Sequence, residues 1–551
     1  MRLWLSLLTS SLALASATLH AATPTVLVNA RIHTLDPERP VATWMRWDDT
    51  GQINAVGGDD DRPEVGVGGA IDAEGRTVIP GLIDAHGHLM GLGYSLTRAN
   101  LVGTTSKADV IERLQIAARA LPEGAWLLGR GWDQNDWPEK EFPTAADLDA
   151  AFPTRPVWLE RIDGHASWGN SAALAAADRR FDGDWQPDGG RIERRDGKAT
   201  GVFVDEASKL VEAAIPPPSA ELQAAAFERA LAEAVKHGLT GVHDAGVTLA
   251  ELAMYRRFAD AGKLPLRVTA MADGDKEALA ALCAMGPYRH PGGRLQMRTV
   301  KLYVDGALGS RGAVLHADYD DAPGNRGLFV TAPAVFDAIV DKAAGCGLQI
   351  ASHAIGDAGN TLVLDSYEKH LRAGDGNRRW RIEHAQLLRL DDVPRFSRLG
   401  VIASMQPTHA TSDMPWAEAR VGAARLRGAY AWRRLLDAGA RLALGSDFPV
   451  ESVDPLLGLY AAITRQDAAG KPPGGWLPEQ RLRPDEALRG FTLDAAYAGF
   501  AEHEVGSLVP GKRADFVLLS DDVLEGEALR LLKTRVLATY VDGVAVYEAR
   551  Q

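Results

Sequence analysis

The chain has 551 residues, 46% of them hydrophobic and 24% charged, with 60 Lys and Arg against 73 Asp and Glu. That length allows a large core and more than one domain, and the composition is that of a globular chain rather than a disordered or fibrous one. A formal net charge of -13 argues against nucleic acid or an anionic membrane surface as partner.

Taken in chain order, residues 1–22 read as a signal peptide. Arg2 gives a positive start, residues 3–15 an apolar run, and Ala15-Ser16-Ala17 or the pair Ala21 and Ala22 a small-residue cleavage site. The run is short for a stable membrane anchor, so the expectation is export, to a periplasm or beyond. Only Cys283 and Cys346 occur, which is no disulfide framework. They read as two buried thiols, with a single bridge left open.

Residues 25–35 (TVLVNARIHTL) alternate like a strand, and short strands continue to about Ala70. The far end has the same character: residues 506–519 and 536–547 are β-like, with Asp542-Gly543 as a hairpin turn. Residues 23–80 and 505–551 are therefore expected to form one small β-sandwich domain from both ends; the alternative is two separate β extensions.

Between them, residues 81–504 alternate helix, glycine, apolar strand and polar tip. The apolar run at residues 78–90 (VIPGLIDAHGHLM) ends in His86 and His88. A Trp-rich insertion at about 122–215 holds Trp126, Trp132, Trp137, Trp158, Trp168 and Trp185, together with VWLERI as a second strand and Asp163-Gly164-His165 after it. Third, residues 239–242 run into His243-Asp244. Later strands carry Lys301, His353, His384 after Glu383, Gln406, and Asp447 after Ser446. Such alternation means parallel strands with crossover helices, and about eight units favour a closed (β/α)8 TIM-type barrel. A doubly wound open sheet is the rival, but no Gly-x-Gly-x-x-Gly opens a helix.

A barrel of this kind places its chemistry at the C-terminal strand ends, where these residues fall. Residues two apart on a strand point to one side, so His86 and His88 can face one ion. Each has a plain alternative: a hydrogen-bonded histidine, a turn-capping Asp447, a salt-bridged or snorkelling Lys301. Their convergence on one face favours a metal site.

The motifs PGLIDAHGH, SHAIGD, IEH, GSDFPV and GKRADFVLL, in that order from about Val28 to Tyr547, resemble the amidohydrolase superfamily of metal-dependent hydrolases. KLYVDGALGSR and the Trp-rich insertion resemble the branch that includes N-substituted formamide deformylase. The resemblance implies His86 and His88 on one divalent ion, His353 and His384 on a second, and Asp447 on the first while also acting as base. It further implies Lys301 as a carboxylated bridge if two ions are bound, and His165 facing the carbonyl or oxyanion. An unprotonated, buried amine is what carboxylation requires. Zinc suits the imidazoles.

For substrate binding the expectation names His165, Trp168 and Trp132, with Arg311 as an anchor for a polar end; core packing of the tryptophans and a structural ion pair for Arg311 are the alternatives. The function expected is hydrolysis of an amide-type carbon-nitrogen bond of a small organic substrate by metal-activated hydroxide. Alternatives are an ester, carbamate or cyclic amide substrate at the same site, or a catalytically inactive, metal-bound ligand-binding barrel. The partner is then a small molecule, with a homodimer kept open.

Overall fold

The computed structural model describes residues 25–63, 70–372 and 378–550. Residues 1–22, the expected signal peptide, lie outside the described residues. Among those residues no helix is long and apolar enough to cross a membrane.

Eight strands make the parallel path of the nine-stranded central sheet, in sequence order: β1 Leu82–Gly87, β2 Leu239–Val247, β3 Arg267–Asp273, β4 Leu295–Tyr303, β5 Gln349–Ala354, β6 Arg381–His384, β7 Ile402–Met405 and β8 Arg441–Leu444; the ninth, Tyr288–Arg289, pairs antiparallel with β4. Every neighbouring pair from β1 to β8 is parallel. The circle is nearly closed. Across the last gap Asp447 N–H donates to the His86 carbonyl at 2.7 Å and His88 N–H to the Phe448 carbonyl at 2.8 Å. Buried Asp84 completes the seam, accepting from Ser446 N–H at 3.1 Å and Ser446 Oγ at 2.6 Å. Gly445 allows this approach, because a Cβ there would stand 2.5 Å from Asp84 Oδ1.

This corrects the expected strand assignment. VWLERI (Val157–Arg161) is not the second barrel strand; it belongs to a six-stranded sheet built from Ala99–Asn100, Leu127–Trp132, Val157–Arg161, Ala166–Gly169, Lys198–Asp205 and Gly190–Arg195. The chain leaves the barrel after β1 and returns at β2, so His243-Asp244 sits on the second strand. The third strand, RVTAMAD, was absent from the expectation. Its middle is filled by small or flexible buried residues, Ala270, Met271 and Ala272, and it ends without an imidazole to mark it.

The helices around the barrel form for local reasons. In Ala220–Lys236, Ser219 caps the start by accepting the Leu222 N–H, and Ala226, Phe227, Ala230, Leu231, Ala234 and Val235 recur at helical spacing to form one buried stripe. Phe227 stacks on Tyr255 at 4.3 Å, and burial of such a ring contributes about 1.5–3 kcal/mol. At the N-terminal mouth, helix Leu493–Ala498 closes the barrel with Ala495, Ala496 and Ala498 packed on Ile83, Ala85, Ile402 and Ala443.

Strands from both chain ends share one six-stranded sheet, in which Phe516–Leu519 pairs antiparallel with Thr77–Pro80. A four-stranded sheet of Thr25–Val28, Trp44–Trp47, Ile53–Gly57 and Ala70–Asp72 lies beside it, and Leu27, Met45, Trp47, Val78 and Phe516 bury a common apolar cluster. Cys283 and Cys346 are not free thiols. They form a disulfide between helix Lys276–Met285 and the end of helix Pro333–Gly345, with their Cα atoms 5.2 Å apart.

Candidate metal centre

The expected ligands meet at the C-terminal mouth. Donor atoms of His86, His384 and Asp447 lie within 4.8 Å of one another. Nε2 of His86 is 3.0 Å from Nζ of Lys301 and 3.6 Å from Oδ1 of Asp447, and Nε2 of His88 is 3.0 Å from that same oxygen. The His353 ring centroid lies 4.6 Å from that of His384. Asp447 Oδ1, approached by imidazole nitrogens alone, and His353 Nε2 are buried atoms with no hydrogen-bond partner besides the His88 approach. Buried polar atoms are rarely left so, and these two face the cluster.

The nitrogens turned away from the cluster are held in place. Nδ1 of His86 meets Glu383 Oε2 at 2.5 Å, Nδ1 of His88 the Ala245 carbonyl at 3.0 Å, and Nδ1 of His384 Gln406 Oε1 at 2.9 Å. Such acceptors fix the tautomer that leaves Nε2 free for a cation. Glu383 is gripped by Arg381 through both oxygens, at 2.7 and 2.9 Å, and Arg381 also donates to the Ala85 carbonyl, Ser404 and His243. His384 and Asp447 have φ of +72° and +62°, so two residues of the cluster sit in left-handed backbone that costs about 1–3 kcal/mol each.

The electrostatics suit cation binding. Burial, with the Lys301 charge beside it, lowers His86 to about 4; burial holds His353 and His384 well below the ordinary imidazole range. These imidazoles are therefore neutral at neutral pH, as ligation demands. Burial also brings Lys301 down to about 8, which leaves part of the amine unprotonated. Burial acts to raise Asp447, but the nearby His88, His86 and His384 hold it well below the carboxylate range. With unpaired donors, oriented imidazoles and an anionic carboxylate, the residues present fit a divalent ion.

A cavity of about 900 Å³ opens above the cluster, lined by His88, His165, Lys301, His353, His384 and Asp447 among others. His165 reaches it from the insertion. Its Nδ1 is 2.6 Å from Asp205 Oδ1, and although burial opposes protonation, that hydrogen bond and charge raise His165 to about 9. Gly306 and Gly312 pack against Asp205: Cβ atoms there would lie 2.7 and 3.0 Å from its Oδ2.

Three expected substrate residues do not reach the cavity and are corrected. Trp132 and Trp168 are fully buried in the insertion core with Trp137, their Nε1 groups donating to the carbonyls of Leu159 and Thr144. The insertion's own apolar cluster, rather than the barrel mouth, sets their surroundings. Arg311 is bound to Asp321 at 2.9 Å and does not line the cavity. The insertion instead presents Arg130, Asp133, Asp136 and residues 160–165, and Trp416 comes from beyond β7. Sequence reasoning missed Asp205, Asp305 and His409, and gave Gln406 as a strand end without its role behind His384. Asp305 accepts N–H groups from Val314, Ile355 and Gly356 and lies 3.7 Å from His353 Nε2. A usable signal was the glycine spacing of DGALGSRG, which marks close packing around Asp205.

The model of the Amidohydrolase family matches residues 69–547. The chain belongs to the amidohydrolase family. This amidohydrolase is 35% identical over 498 residues to Protein LONG AFTER FAR-RED 3 of Arabidopsis thaliana, covering 87% of this chain and 83% of that protein. It is 29% identical over 557 residues to an N-substituted formamide deformylase of Arthrobacter pascens, covering 95% and 98% of the two. Among solved structures, an uncharacterized metal-dependent hydrolase of Pyrococcus horikoshii matches with a TM-score of 0.74 at 29% identity, covering 92% of this amidohydrolase and 99% of that chain. Family and fold together make it a metal-dependent hydrolase.

Proposed function

We propose that the protein hydrolyses a carbon-nitrogen, amide-type bond of a small organic substrate at the cluster of His86, His88, Lys301, His353, His384 and Asp447. The observation that carries this reading is the set of buried, neutral imidazoles around Asp447, whose unpaired Oδ1 faces a cavity large enough for a drug-sized molecule. Zinc is the preferred ion, and Lys301 its carboxylated bridge if two are bound. A divalent ion held there supplies a Lewis acid and brings the pKa of coordinated water towards about 7.

The protein's residues do the rest. Asp447 accepts the proton released by the attacking water and returns it to the departing nitrogen. His165, protonated through Asp205, donates towards the oxygen on which negative charge develops. The two buried guanidinium groups on the cavity wall are already engaged: Arg161 by Asp133, Asp163 and Gln134, Arg130 by Glu160 and the carbonyls of Ile162 and Pro449. Asp413 and Glu451 on the same wall have hydroxyl or amide partners, not cations. Neither buried guanidinium is thus free for a substrate carboxylate, although Arg98 also lines the cavity, and the similarity to an N-substituted formamide deformylase supports a formamide.

The test is turnover of formamides with neutral, amine-bearing and carboxylate-bearing leaving groups, with chelator and zinc add-back, beside matched esters and cyclic amides. Chelator-insensitive turnover, or none in any class, would sink the proposal; preference for an ester or cyclic amide would redirect it within the same site. We further read the two terminal sheets as a small β-sandwich unit and the chain as exported to the periplasm, which the single disulfide suits. Fractionation of cells expressing the full chain checks the second.

A further inference from the structure

Helix Pro407–Asp413, which follows β7, carries a histidine to which the proposed centre gives no role. His409 lines the cavity, and its Nε2 is buried without a hydrogen bond, 3.7 Å from Oδ2 of Asp447. Its ring lies nearly parallel to that of His384, at 5.8 Å and 22°. Gln406, which caps this helix, is the residue whose Oε1 holds His384 Nδ1, so one turn of chain sets both imidazoles together.

The two oxygens of Asp447 therefore have different neighbours. Oδ1 faces His88 and His86, whereas Oδ2 faces His409. The terminal torsion of an aspartate is soft, and contacts to one oxygen leave the other free to swing. Misplacing a reacting group by about 1 Å can cost roughly 10²-fold in rate. An unpaired buried ring nitrogen beside a carboxylate oxygen is the arrangement that a small ring rotation would join once that nitrogen carries its proton.

We propose that His409 is a positioning residue for Asp447: its Nε2–H donates to Oδ2 in the working enzyme and holds the carboxylate plane so that the proton-carrying oxygen points into the cavity. The inference rests on the reading of Asp447 as proton carrier. No proton need leave His409 in this role; the imidazole acts as a fixed donor.

The experiment uses the full chain reconstituted with zinc, para-nitroformanilide as probe, and the variants His409→Leu, His409→Gln and Asp447→Asn. The glutamine amide restores an N–H near the position of Nε2, and leucine fills the space without one. Expected for His409→Leu is a kcat loss of roughly 10–100-fold. KM should move by less than about threefold, with zinc content and melting temperature unchanged. His409→Gln should recover most of kcat. Equal losses in the two His409 variants, an intact kcat in His409→Leu, or a loss of zinc would overturn the proposal. Turnover retained by Asp447→Asn would instead remove the functional reading. A crystal structure of the zinc-loaded protein decides independently of any probe: Nε2 to Oδ2 at about 2.8–3.0 Å is expected, and more than 3.5 Å overturns it.

Discussion

The two mouths of the barrel are lined by polar residues of the same strands and treat them in opposite ways. At the N-terminal end, Gln296 on β4 donates to Thr269 and the Gly499 carbonyl, and Gln349 on β5 bonds Thr299 and the carbonyls of Arg379 and Ala498. An alanine-rich helix then seals that end. At the C-terminal end, Asp447 Oδ1, His353 Nε2 and His409 Nε2 are buried and unpaired beneath an open cavity. Arg381, bonded to Glu383, Ser404, His243 and the Ala85 carbonyl, lies between the two. Satisfied polar groups specify a structure; unsatisfied ones, held rigid, are free for chemistry.

That contrast can be broken most severely at the open mouth. Asp447→Asn should lose roughly 10²–10⁴-fold in kcat while retaining metal, as measured by steady-state kinetics beside metal analysis. Trp168→Ala, a change in the insertion core, should cost about 3–5 kcal/mol of stability in a denaturant titration, and a KM effect without destabilisation would return Trp168 to the substrate wall. Glu383→Gln removes the negative charge behind His86 and should weaken metal binding roughly 10–100-fold in a chelator competition.

A pH comparison sharpens the role of the insertion. His165 is raised from 6.5 to about 9 by Asp205, so the pair's contribution is fully present below pH 6.5 and disappears as pH rises through about 9. Asp205→Asn in metal-free protein should therefore lower stability on the order of 1–3 kcal/mol at low pH and little at high pH; an equal loss at both would mean packing, not charge. The smallest effect belongs to the sealed mouth. Gln349→Ala should cost about 1–3 kcal/mol of stability and leave kcat/KM of the survivors unchanged.

Much of the barrel was legible because its strands end in residues that stand out. His86 and His88, His353, His384 and Asp447 mark β1, β5 and β6 and the turn after β8, and the glycines before several strands mark the helix stops. Strand β3 follows a glycine stop, Gly262, but ends in Asp273 and carries no imidazole, and its absence from the expectation let VWLERI, a stretch with ordinary strand character, take the second place in the barrel. The tryptophans misled for a related reason. Composition says that large aromatic side chains favour burial, but not whether they are buried against a ligand or against one another; the insertion core brings Trp132 and Trp137 against Trp168 at 5.9 and 6.2 Å.

The sequence by itself determined the chemistry available, because ligand types and strand periodicity are local properties: neutral-capable imidazoles at strand ends, a strand-end aspartate, a lysine within a strand. Only the tertiary structure decided which partner each of them has. Glu383 reaches His86 across 297 positions, Asp205 reaches His165 across 40, and His409 comes to face Asp447 from another helix. Those pairings depend on the closing of the barrel and the folding of the insertion over it, and no local pattern encodes the distance between two side chains that the backbone brings together only at the end.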